Sequence, residues 1–145
     1  MNNANQNLVA YCGLYCGDCF GYTGQLADLA RDLRKVLREQ KFDKIAEVIP
    51  FKEFKHYKTC YEVLGAMVKL RCKKACHGGG GPPFCKIRKC CQKNGFQGCW
   101  ECDNIDECDK LNSLESIHKN THIKNLKSIK KIGLNKWLLS DKRYW

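Results

Sequence analysis

The feature that most constrains this chain is the run from Cys72 to Cys108, CKKACHGGGGPPFCKIRKCCQKNGFQGCWECDNIDEC. It holds eight of the twelve cysteines: Cys72, Cys76, Cys85, Cys90, Cys91, Cys99, Cys102 and Cys108. Three more, Cys12, Cys16 and Cys19, crowd into CGLYCGDC near the start. Large aliphatic residues are scarce in the run and concentrate before residue 70 and after residue 110. A segment with so little apolar surface to bury must be cross-linked or stay unfolded. Thiols on short spacers beside Gly and Pro suit a metal. Four sulfurs must meet one ion at about 2.3 Å each, so the backbone has to turn sharply between them.

The chain has 145 residues, enough for one domain with a real core. Its opening, MNNANQNLVAYCG, has no basic segment followed by an apolar run, so no secretory signal is expected there. No apolar stretch approaches the ~20 residues of a membrane span. These features lead us to expect a cytoplasmic protein with no membrane association, whose thiols stay reduced. In that setting, metal ligation or redox chemistry is expected ahead of disulfides.

The net charge is +11, unevenly spread. Residues 69–100 carry eight basic side chains and no acid, whereas residues 101–109 carry five acids and no base. Residues 110–145 are again basic. A basic surface attracts an acidic protein or nucleic acid. Part of the excess only balances thiolates, since a four-thiolate zinc site carries about −2.

The fold class expected is mainly α: a small helical domain with Cys-rich zinc-binding loops and short knuckle hairpins. Residues 1–10 read as a disordered lead, and 11–145 as one domain. Within it, residues 23–70 form a helical insert, 72–108 the Cys-rich loops, and 111–139 the C-terminal helices. Leu26, Leu29, Ala30, Leu33, Val36 and Leu37 recur at helical spacing after Thr23, a candidate N-cap. Further helices fit Asp43–Ile49 before Pro50, and Lys52–Leu70 with Phe54, Tyr57, Tyr61, Leu64 and Val68 on one stripe. Cys60 on this last helix reads as a buried apolar thiol. Beyond Cys108, Leu111, Leu114 and Ile117 suit one helix and Ile123, Leu126 and Ile129 another. Gly133 is its stop, and Leu134, Trp137 and Leu138 continue the apolar face. The Gly78–Gly81 tract lacks the strand, helix and Lys-Ser or Lys-Thr pair of a phosphate-cradling loop, so it reads as a return between ligands.

Cys16-Gly-Asp-Cys19 and Cys99-Trp-Glu-Cys102 are CxxC pairs far apart in sequence, a pattern that points to zinc. The expected ligands are Cys12, Cys16, Cys19, Cys72, Cys76, Cys85, Cys90, Cys99, Cys102 and Cys108, serving two zinc ions. One arrangement joins Cys16 and Cys19 to Cys99 and Cys102, and Cys76 to Cys85, Cys90 and Cys108. Cys12, Cys72 or Cys91 could replace any of these, and His77 could lend a nitrogen. His56, His118 and His122 read as ordinary surface or core residues. Ligands that are nearly all sulfur favour closed, structural sites over a catalytic one, which needs an open water position. An iron–sulfur cluster on four cysteines is the alternative cofactor. Cys12, Cys16 and Cys19 also match the spacing of the three-cysteine cluster of radical S-adenosylmethionine enzymes. The length and the repeated βα units that such enzymes need are missing. Cys91, just after Arg88 and Lys89, is a candidate reactive thiol, because nearby cations favour the thiolate.

In combination, CGLYCGDC, GGGGPPFCKIRKC, GCWECDNIDEC and the tail LKSIKKIGLNKWLLSDKRYW resemble the domain-of-unknown-function 3795 family, small Cys-rich prokaryotic proteins that open with a CGL motif. The resemblance runs from Tyr11 to Trp145. It matches Cys12, Cys16, Cys19, Cys76, Cys85, Cys90, Cys99, Cys102 and Cys108 to the family pattern. The doubled Cys90-Cys91 and the spacing of Cys72 to Cys76 depart from it. The resemblance implies metal binding, with zinc foremost, and no particular reaction. The function expected is therefore an interaction module for an acidic partner, with its basic C-terminal helices, Trp137, Tyr144 and Trp145 meeting phosphates and bases. A redox iron–sulfur protein and a small metalloenzyme are the alternatives.

Overall fold

A computed structural model describes residues 5–140 and 143–145. Nine α-helices lie among them, with no strand beyond an isolated antiparallel bridge between Val9 and Tyr15. The helices are α1 (Phe20–Thr23), α2 (Gln25–Glu39), α3 (Phe42–Val48), α4 (Tyr57–Val68), α5 (Lys86–Asn94), α6 (Asp109–Asn112), α7 (Glu115–His118), α8 (Thr121–Ile132) and α9 (Leu134–Leu139). None is long and apolar enough to cross a membrane. The mainly helical expectation stands; the hairpins do not.

The core sits around α8. Leu126 of that helix joins Tyr11, Ile87, Cys91, Cys99, Ile105 and Leu111 in one buried cluster. One turn on, Ile129 joins Val9, Tyr15, Trp137 and Leu138 in a second. Trp100 packs against both. The polar lead expected over residues 1–10 is corrected in part. Residues 1–4 lie outside the described residues, but Gln6–Leu8 form a 3-10 turn and Val9 is fully buried. Gly13 lets this segment lie against α8. Its φ is +85°, and a Cβ there would sit 2.8 Å from Leu126 Cδ2, so only glycine fits without strain.

The Cys-rich middle is less of a loop than its composition suggests. α5 crosses it and buries Ile87, Arg88 and Cys91. The expected helix over 111–117 divides into α6 and α7, and Ile117 is exposed rather than buried. Gly133 ends α8 with φ +83°, and Trp137 and Leu138 of α9 are buried, as the periodicity implies.

The insert pairs α2 with α4. Thr23 is not its N-cap: that position is Gly24 at φ +73°, and the Thr23 hydroxyl donates back to the Cys19 carbonyl. The buried face of α2 is also rotated from the expected stripe. Ala27 and Ala30 are buried, whereas Leu29, Leu33 and Val36 are exposed. Arg34 supplies the physical reason. Its guanidinium stacks over the Tyr61 ring, 4.3 Å from the centroid, in the room that Gly65 leaves on α4. A cation–π contact turns the small-residue face inward. On α4 and before it, Phe54, Tyr57, Tyr61, Leu64 and Val68 are half-buried, and Cys60, expected to be inside, is exposed.

His122 on α8 is 1% exposed, and neither ring nitrogen has a hydrogen-bond partner among the described residues. Burial holds its pKa below 6.5, with only partial opposition from the Leu111 backbone and from Glu115. A depressed folded pKa means that the unfolded chain takes up this proton first as pH falls. The stability associated with neutral His122 is present above pH 6.5 and is lost as pH falls below it. Chemical denaturation at a series of pH values should show this loss, and His122→Leu should reduce it. An unchanged pH slope in the variant would contradict the assignment.

Candidate metal centre

The two CxxC pairs are held by single 3-10 turns, Cys16–Asp18 and Cys99–Glu101, and a third such turn, Cys76–Gly78, also begins on a cysteine. The Cys19 N–H donates to the Cys16 carbonyl at 3.0 Å, and the Cys102 N–H to the Cys99 carbonyl at 3.1 Å. These i→i+3 bonds do in one turn what a hairpin was expected to do. Two long-range backbone bonds then join the segments. Cys72 N–H donates to the Gly21 carbonyl at 2.8 Å, and Cys99 N–H to the Tyr11 carbonyl at 2.8 Å.

Two neighbourhoods of thiols result. In the first, a Cβ on Gly21 would lie 3.3 Å from Cys72 Sγ and 3.6 Å from Cys19 Sγ, so this glycine leaves the room that both sulfurs use. Cys16 is raised in pKa by burial, and Cys76, Cys19 and Cys72 press it further upward. In the second, Cys91 and Cys99 place their sulfurs 3.5 Å apart and share a proton. Cys99 is pushed up by that bond, then by burial, with Cys12 and Cys108 adding to it. Cys90, Cys102 and Cys108 line a cavity of about 220 Å³ beside this pair. Cys12 links the neighbourhoods. Burial pushes its thiol up to about 12, with Cys76 and Cys85 contributing.

Thus Cys16 and Cys19 lie with Cys72 and Cys76, rather than with Cys99 and Cys102 as one expected arrangement had it. All twelve cysteines are free thiols. Apart from the exposed Cys60, they are neighbours, not a finished ligand set: among the described residues, no group of three or more His, Cys, Asp or Glu side chains could hold a metal ion as it stands. The donor chemistry does suit a soft cation, because the gathered groups are sulfur, with Cys91 and Cys99 buried and the others half-buried. Cys91 is buried, and its pKa is lowered by the bond from Cys99, not by the neighbouring cations. An accessible nucleophile is therefore ruled out as its role. His77 stacks on Tyr11 with ring centroids 3.9 Å apart, and His56 is exposed while His118 is half-buried.

Residue-level reading of the sequence missed Arg88. Only 7% exposed, it donates to the carbonyls of Gly80 at 2.5 Å, Pro82 at 2.8 Å and Cys76 at 3.4 Å. It ties the glycine loop to α5 and opposes the rise in the Cys76 pKa, which burial causes. The available signal was one Arg in KIRKCC where every other cation is Lys.

A family model described as "Protein of unknown function (DUF3795)" matches residues 8–113. No curated protein and no solved structure matches the chain.

Arg88→Met should destabilise the fold by about 2 kcal/mol or more, since part-buried carbonyls lose a charged donor. The exposed neighbour Lys89→Met should change stability by less than about 0.5 kcal/mol. Urea unfolding measures both. Similar small effects from the two would refute the role given to Arg88.

Proposed function

Because the chain belongs to the DUF3795 family, whose description names no reaction, we propose from its own residues that it is a zinc-organised binding module for an acidic partner. The observation that carries this reading is the gathering of half-buried thiols from segments far apart in sequence: Cys16 and Cys19 with Cys72 and Cys76, and Cys12 and Cys85 with Cys76. Buried thiols without balancing charge are uncomfortable as thiolates, which is why burial raises Cys12, Cys16 and Cys76. A bound cation reverses that penalty and displaces the protons.

Two ions are proposed. Cys16, Cys19, Cys72 and Cys76 would hold one. The second would draw on Cys12, Cys85, Cys90, Cys91, Cys99, Cys102 and Cys108. Zinc supplies cross-linking there and no turnover, because a four-sulfur shell leaves no position for water. The 3.5 Å separation of Cys91 and Cys99 supports a single shared ion. Two sulfurs at tetrahedral angles and 2.3 Å bonds stand about 3.8 Å apart. Three of the nearby acids have other partners. Asp103 pairs with Lys130 and Asp106 with Lys127, at 2.8 and 2.6 Å. Glu101 accepts from the Gln97 N–H. Glu107 and Asp109 are exposed, so the preference for a structural centre over a metalloenzyme rests on the sulfur ligands.

Protein purified without air should contain about two zinc ions per chain and lack the absorption near ~400 nm of an iron–sulfur centre. Removing the metal with a chelator should unfold the Cys-rich middle, since structural zinc contributes ~10–16 kcal/mol of apparent binding energy. Helicity and melting temperature that survive complete stripping would overturn the scaffold role. A brown, iron-containing protein would transfer it to a cluster.

A further inference from the structure

The basic surface is not uniform. In the C-terminal helices, Lys127 and Lys130 are engaged by Asp106 and Asp103. Trp137, expected to stack bases, is fully buried and cannot reach one. The other basic segment lacks such acids. Lys69, Lys73, Lys74, Lys86, Lys89 and Lys93 are exposed and have no carboxylate partner among the described residues. Arg71 alone pairs there, with Asp28.

Three of these lysines face a groove of about 640 Å³, formed by the α1 turn, the Lys69–Lys74 segment and the glycine loop. Phe20, Lys69, Arg71, Lys73, Lys74 and Gly80 are among its walls, and no acid among the described residues is. The loop closes tightly over one side. A Cβ on Gly80 would fall 1.7 Å from the Lys74 carbonyl oxygen, so the approach requires glycine. Phe20 is half-exposed in the groove, and Phe84 beyond the glycine loop is 79% exposed, with Lys89 Nζ 5.4 Å from its ring centroid.

We propose that this groove binds single-stranded nucleic acid. The assignment rests on the binding-module reading above and names its partner class. Free lysines follow the phosphates, and exposed aromatic rings offer faces to unpaired bases. An acidic peptide would use the lysines but has no need of the rings. A duplex keeps its bases stacked internally and cannot use them either. Cys19 and Cys72 share the groove wall, so the proposed metal centre shapes the binding surface.

The test uses the full metal-loaded chain and a fluorescent oligothymidylate of about 15 nucleotides. Wild type should bind with a log–log salt slope of at least about −2, since each phosphate contact to a single strand contributes about 0.7. The triple substitution Lys69→Gln, Lys73→Gln, Lys74→Gln should weaken binding by about tenfold or more and flatten the slope by about 2. Lys119→Gln, Lys131→Gln, Lys136→Gln should weaken it by no more than about threefold. Phe20→Leu should weaken binding without changing the slope, which separates stacking from charge. Metal content and melting of each variant exclude a folding defect. Equal losses from the two triples, or none from the groove triple, would overturn the assignment. Wild type that binds polyglutamate but not oligothymidylate would end this proposal and leave the module reading standing. Binding to neither would end both.

Discussion

Thiols at least half withdrawn from water, with too little positive charge beside them, hold the rest of this fold to its shape. Burial raises Cys12, Cys16 and Cys76 together, and hydrogen bonding to Cys91 raises Cys99. Each lies beside others from distant parts of the chain. Two of the joining contacts are backbone bonds, Cys72 to Gly21 and Cys99 to Tyr11. Arg88 then holds the glycine loop against α5. The aliphatic clusters around α8 stabilise one side of the molecule, and sulfur stands where more aliphatics would otherwise be needed on the other.

Much of the helical framework was legible because period and punctuation agree. α3 before Pro50, α8 stopped by Gly133, and α9 with Trp137 and Leu138 inward follow from spacing alone. The face of α2 did not. Its leucines form the more apolar stripe, yet the fit of Arg34 beneath Tyr61 at Gly65 is a tertiary fact. α5 was hidden for a different reason. Its inward positions are Ile87 and Cys91, and a cysteine in such a run reads as a ligand before it reads as a small hydrophobe. The CxxC spacing located the turns correctly. It could not say that Cys19 meets Cys72, because pairing between segments is set by the path of the insert between them.

Charge divides along similar lines. The acidic run after Cys99 faces α8, where Asp103 and Asp106 take Lys130 and Lys127. Segment totals suggested two basic surfaces of similar weight. The structure engages part of one and, among the described residues, leaves the lysines around the glycine loop without a carboxylate partner. Phe20 and Arg71 flank the insert on its two sides, so the same junction that brings Cys19 to Cys72 also forms the groove.

If these sulfurs share ions, X-ray absorption at the zinc edge of the purified protein will show a shell of about four sulfur atoms per zinc near 2.3 Å. A shell dominated by nitrogen or oxygen, or the absence of bound metal from protein whose thiols remain reduced, would contradict that sharing.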